Sequence, residues 1–215
     1  MDMNIEQQIK YATSFQRTSA ISIDIFIVAF LRIILAQILG NIWINDIIAR
    51  FLSDYKTYFG TEFIKNNPEH IEFVMRHEVF SSIIIFYIIL VLVGTIYHAY
   101  LNSSSWRATI GKRIVGITMM KEDYTKISFW LGVAHYFLSV LPIIYVIYIV
   151  MFQAANNINM FTAITSNPFN FAFGIAFVLW LQIQIFTKKK TTAYDLICKV
   201  IFIKLRTAEK FPWSK

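Results

Sequence analysis

The sequence predicts an all-α membrane protein: a four-transmembrane-helix bundle with an extracytoplasmic interfacial helix and a short cytoplasmic β-ribbon. Three observations carry that expectation. The 215 residues are 57% hydrophobic and only 15% charged, well below the roughly 25% charge of an average soluble domain. No Asp, Glu, Lys or Arg occurs in the 61 residues from Ile127 to Thr187, nor anywhere from Val79 to Trp106. The basic residues gather in alternate loops, which is the pattern that orients helices in a bilayer.

The first hydrophobic run, read as a span at about 19–40, contains Asp24 and Arg32. A secretory signal fits it poorly, because a signal's apolar core is only ~7–15 residues long and ends at a small-residue cleavage site. The second span lies at about 81–101. The long uncharged run holds two spans of ~20 residues, at 129–154 and 169–187. Between them the polar residues Asn156, Asn157, Asn159, Thr162, Thr165, Ser166 and Asn167, followed by Pro168, mark a turn. Pro142 falls inside the third span, where a missing backbone donor kinks a helix.

Segment 41–80 is assigned to the outside. Its apolar residues at 44, 47, 48, 51, 52, 55, 58 and 59 recur at helical spacing. Such a stripe either lies on the outer membrane interface or packs on the outer ends of the spans. Asn67-Pro68-Glu69 reads as a helix start, with a cap, a first-turn proline and an acid at the positive end of the dipole.

Lysine and arginine set the orientation. The loop 102–128 carries Arg107, Lys112, Arg113, Lys121 and Lys126, and the tail 188–215 carries eight such residues beginning at Lys188-Lys189-Lys190. Loop 155–168 carries none, and acids outnumber bases in 41–80. Both termini are therefore expected in the cytoplasm, with residues 1–215 as a single membrane domain. The net charge of +7 is then a topology signal, with Lys188–Lys190 against anionic lipid. No aromatic-interleaved basic motif points to nucleic acid. The β-branched runs Arg113–Met120 and Lys199–Lys204 each follow a span by a similar distance, so they can pair as a ribbon.

Candidate chemistry is sparse. Charges inside a span cost ~2.5–3.5 kcal/mol each on insertion scales, so they are functional candidates by default. Arg17 and Asp24 share a helix face but lie ~10 Å apart along it. Asp24 thus needs a partner from another segment or a water-filled cavity, either as a cation or proton site or as an anchor of the bundle. Arg32 can snorkel toward the outer surface. His98 and His135 sit at similar depths and offer a proton relay. His70 and His77 are seven apart, not the four that a helical metal pair prefers, so no metal and no cofactor is expected. Gly111-Lys112 is not a phosphate loop, since Trp106 and Arg113 occupy the required Gly and Ser/Thr positions. The single cysteine, Cys198, excludes a disulfide framework and is expected to be a reduced thiol.

Three patches, taken together, resemble the RDD family of bacterial membrane proteins. They are Arg17-Thr-Ser-Ala20 with Asp24, the stretch Thr109-Ile110-Gly111-Lys112 followed by Gly116-Ile117, and Thr191-Thr192-Ala193-Tyr194-Asp195. The arginine and two aspartates of the family name carry over to Arg17, Asp24 and Asp195. The loop motif carries over to Thr109, Gly111, Lys112 and Gly116. Where the family shows Gly-Thr after the last aspartate, this chain has Lys199-Val200. The resemblance implies a multi-pass protein of the bacterial inner membrane, with cation/proton exchange proposed for some members. The expected arrangement places Asp24 and Asp195 beside a cytoplasm-side polar site, with Arg17 setting its charge.

Two functions follow as expectations. One is a transporter of small ions. The other is a non-catalytic scaffold or accessory subunit. An enzyme ranks last, because no nucleophile or metal constellation appears. Beyond the lipid bilayer, the expected partner is a second copy or another membrane protein.

Overall fold

The computed structural model describes residues 10–60, 68–156, 158–165 and 167–205. The expected cap at Asn67, the turn residues Asn157 and Ser166, and the tail beyond 205 lie outside the described residues. The chain divides into two compact units, one of Met1–Ile25 with Thr95–Lys215 and one of Phe26–Gly94.

The helices are α1 (Ser14–Leu39), α2 (Asn45–Phe59), α3 (Pro68–Arg76), α4 (Glu78–Ser103), α5 (Ile110–Ile114), α6 (Phe129–Asn156), α7 (Met160–Thr165), α8 (Pro168–Gln182) and α9 (Ala193–Cys198). The strands are β1 (Ile117–Lys121) and β2 (Val200–Lys204). Among the described residues, three helical stretches are long and apolar enough to cross a membrane: Ser14–Phe59, Glu78–Ser103 and Phe129–Gln153.

Several boundaries differ from the expected ones. The first span does not end at residue 40. A π turn at Gly40–Ile44 joins α1 to α2 without a break, because no proline or capping side chain interrupts the backbone ladder there. The expected turn at 156–168 contains a helix of its own, α7. The fourth apolar helix starts at Pro168, where Asn167 Oδ1 accepts from the Phe169 amide at 2.8 Å, and gives way to a 3₁₀ turn at Ile183–Ile185. Its α-helical part is ~22 Å long, short of the ~30 Å hydrocarbon core.

The outer surfaces of the long helices are apolar and the interior holds the charge. Phe26 and Phe30 of α1, Ile85 and Ile88 of α4 and Ile143 and Ile147 of α6 are exposed, while Arg17, Asp24 and Asp195 are buried. That inversion suits a lipid solvent, which rewards outward apolar surface and penalises outward charge.

In the unit of 26–94, the stripe of α2 has a partner. Phe51, Tyr55 and Phe59 close on Phe73 of α3 at ring-centroid distances of 5.4–6.0 Å. The Tyr55 hydroxyl sits 2.5 Å from His70 Nδ1. Leu52 and Tyr58 stay exposed. Arg32 does not simply trail along its own helix, since its Nε donates to the Leu90 carbonyl of α4 at 2.9 Å.

In the other unit, β1 and β2 pair antiparallel, from Ile117 opposite Lys204 to Lys121 opposite Val200. The run expected as strand from Arg113 is helical up to Ile114, and Gly116 at φ +73° turns the chain into β1. The period-2 alternation of a strand puts Ile117, Met119, Val200 and Phe202 in one cluster and Met120, Ile201 and Ile203 in another. Both faces of the ribbon are therefore buried. Gly132 of α6 packs onto Ala99 of α4 so closely that a Cβ would sit 3.0 Å from Ala99 Cα. Small residues at a crossing permit that approach where lipid supplies no hydrophobic drive between helices.

Candidate functional site

The candidate site is built by five elements of one unit: α1, the end of α4, α5, α6 and α9, with β2 behind them. It has two halves.

The first half is the seat of Asp24. α5 is a single short turn whose cap is Thr109, which accepts the Lys112 amide at 3.4 Å. The same hydroxyl donates to Asp24 Oδ2 at 2.5 Å. Asp24 Oδ1 accepts the Gly111 amide at 2.9 Å and the Tyr97 hydroxyl at 2.6 Å. The Tyr97 oxygen in turn accepts the Ile110 amide at 3.3 Å. Asp24 is 1% exposed, and its oxygens are met by neutral donors. Gly111 is required by contact. A Cβ there would lie 2.3 Å from the Ala20 carbonyl and 2.8 Å from Asp24 Oδ1, so only glycine lets the loop backbone lie on α1.

The second half is the seat of Asp195. Thr192 and Asp195 form a capping box on α9: the Thr192 amide donates to Asp195 Oδ2 at 2.7 Å, and the Asp195 amide to Thr192 Oγ1 at 3.4 Å. Arg17 donates through one guanidinium nitrogen to Asp195 Oδ2 and through another to the Lys190 carbonyl, and its Cζ lies 4.3 Å from the centre of the Phe202 ring. His135 Nε2 is 2.8 Å from Asp195 Oδ1. Burial pushes the Asp195 carboxyl up, but the His135 hydrogen bond and the Arg17 charge outweigh it and hold the group below the usual carboxylate range. Burial, and then the Asp195 charge, push the Cys198 thiol up, so this buried cysteine is a weak nucleophile.

Lys112 bridges the halves. It is 6% exposed, its Nζ donates to Asn102 Oδ1 at 2.7 Å, and it lies 5.0 Å from the Phe202 ring. Burial lowers it to about 8, against the opposing pull of Asp24 and then Asp195.

Arg17, Asp195 and His135 are brought together, while Asp24, Thr109, Gly111 and Lys112 form the adjoining seat. Among the ion pairs of the described residues, Arg17 thus meets Asp195 and not Asp24. Gly116 serves the ribbon, accepting the Leu205 amide at 2.8 Å. His98 and His135 have separate partners, since His98 stacks on Tyr136 at 4.9 Å. Arg32 lies in the other unit. The basic run is also partly engaged: Lys189 pairs with Glu122 at 3.2 Å. Tyr97, Asn102 and Phe202 carry no signal in the sequence, where an isolated tyrosine or asparagine near a span end has no local signature. Among the described residues no group of three His, Cys, Asp or Glu gathers that could hold a metal ion.

A sequence model described as the RDD family matches residues 11–199 of the chain. No curated protein and no solved structure matches it.

Proposed function

From the premise that the chain belongs to the RDD family, we propose that this multi-pass membrane protein exchanges a small cation for protons through its buried charged layer. The observation that supports this most is Asp195, a buried carboxylate shared between Arg17 and, at 2.8 Å, His135. A titratable imidazole is thereby attached to a buried ion pair. Any change of protonation in this desolvated layer changes its charge, which is costly unless another cation enters or leaves.

In this reading four segments cross the membrane. The α-helical and 3₁₀ turns from Pro168 to Ile185 together reach ~28 Å, close to the ~30 Å core. Both termini and the charged layer then lie on the inner side of a bacterial inner membrane, an orientation that the basic loops support. Four spans make a thin pathway, so the working unit is a homo-oligomer.

The test is proton flux. Purified protein in liposomes carrying a trapped pH-sensitive dye is given a Na⁺ or K⁺ gradient. Wild-type protein should move protons, and Asp195→Asn and His135→Gln should slow this at least tenfold while still inserting. Folded wild-type protein that moves none would end the proposal.

A second reading, a scaffold or accessory subunit, draws on Asp24, whose hydrogen bonds to Tyr97, Thr109 and Gly111 have the form of a tie between segments. On this reading the protein moves no ions and co-purifies with another membrane protein, and Asp24→Asn lowers its thermal stability.

A further inference from the structure

Lysine buried in a protein interior ordinarily touches a carboxylate, because an ammonium stripped of water needs a compensating charge. Lys112 does not follow that rule: none of the ion pairs among the described residues includes it. Its Nζ is held by Asn102 Oδ1 at 2.7 Å, by the Met119 thioether at 3.7 Å and by the Phe202 ring at 5.0 Å. All three are neutral. The two nearby carboxylates are occupied elsewhere, Asp24 by Tyr97, Thr109 and Gly111, and Asp195 by Arg17, His135 and Thr192.

We propose that Lys112 carries the exchanged proton, held as an ammonium in a cradle of neutral groups while Asp24 and Asp195 act on it without touching it. The proposal rests on the exchange reading above and deepens it.

The geometry supports a group that can give up its proton. A lysine in a contact ion pair loses a full charge–charge attraction on neutralisation, whereas here it loses only the weaker pull of the Asn102 dipole, the Met119 sulfur and the Phe202 ring face. The charged and titratable groups facing it are Asp24 and Arg17 from α1, Asp195 from α9 and His135 from α6. Met119 on β1 and Phe202 on β2 add none. With His135 neutral, the two carboxylates balance Arg17 and Lys112. When the ammonium N–H bond breaks, the electron pair stays on nitrogen, the proton passes to water, and the layer is left one negative charge in excess. A monovalent cation entering the layer restores neutrality, so one proton leaves for each cation bound. Burial of the amine lowers it to about 8, which brings this release into a working range of pH.

A merely structural pin would need only the positive charge, and Lys112→Arg separates the two roles, since a guanidinium keeps its charge and does not release a proton. The measurement is proton release from detergent-solubilised protein in weak buffer, when choline chloride is replaced by NaCl or KCl at constant ionic strength. Wild-type protein should release up to about one proton per chain, most strongly below pH 8, and Lys112→Arg and Lys112→Met should release none. Release undiminished in Lys112→Arg overturns the proposal, as does absence of release from folded wild-type protein. Should the methionine variant fail to fold, the arginine variant decides alone. Release in detergent combined with no flux in liposomes keeps Lys112 as the proton group and removes transport. Flux that persists at the wild-type rate in Lys112→Arg keeps transport and removes Lys112.

Discussion

The indole N–H of Trp180 donates to the backbone carbonyl of Leu138 at 3.0 Å. That carbonyl is the one Pro142 leaves without its usual partner, four residues on, because proline has no amide hydrogen. A side chain of α8 thus completes the hydrogen bonding of α6 at the proline, where no water would be available to do so.

Trp180→Phe should therefore cost about 1 kcal/mol or somewhat more, the penalty of a carbonyl left unsatisfied, read as a fall in detergent thermal midpoint. In a Pro142→Ala background the regained amide of residue 142 serves Leu138, and the same tryptophan change should cost measurably less. A double-mutant cycle with no coupling would show that the indole bond carries no weight.

Gly111→Ala should be among the most damaging single methyl additions in the chain. Its Cβ would meet Ala20 backbone at 2.3 Å, so α5 must leave α1 and release Asp24 from its donors. A loss of several kcal/mol is expected, on the scale of overpacking added to a broken buried network. Gly116→Ala is the control. It has open space around it but sits at φ +73°, so it should cost only about 1 kcal/mol.

Arg17→Lys should fail to substitute. The guanidinium bonds Asp195 and the Lys190 carbonyl together and sits over the Phe202 ring, a combination that needs a planar fork. The expected loss is on the order of 3 kcal/mol, as for a broken buried pair. Thermal unfolding of Arg17→Lys at wild-type stability would refute this.

Lys112 predicts a specific pH dependence of stability. Its folded value of about 8 lies below the ordinary 10.5, so the unfolded chain binds more protons between those two values. Stability should therefore rise with pH from about 8 to about 10 and be lowest, with respect to this group, below 8. The difference between wild type and Lys112→Met, measured by thermal unfolding across that range, isolates the effect. A parallel pair of curves would contradict the assignment.

Much of the architecture could be read along the chain. Charge-free runs are expensive anywhere but in lipid, so the spans announced themselves through composition. Asp24 stands out by the same cost, whereas Asp195, in the basic tail, is legible only through the family resemblance. Less visible were features that composition does not register. The π turn at Gly40–Ile44 joins two segments of different polarity with no breaker residue between them. The helix α7 hides inside a run rich in turn-forming residues. His98 and His135 looked like a pair by depth, yet depth says nothing of azimuth, and each found a different partner.

Membrane residence, the cost of the intramembrane charges and the apolar period of each helix follow from local chemistry, which a linear string of residues records in full. The division of charge does not: that Arg17 serves Asp195 and not Asp24, that Asp24 is met by neutral donors, and that Lys112 is a buried ammonium with neutral neighbours. Those outcomes rest on contacts between residues 10 to 178 positions apart, and only the folding of α5 onto α1 and of β2 beneath both decides which donor reaches which acceptor.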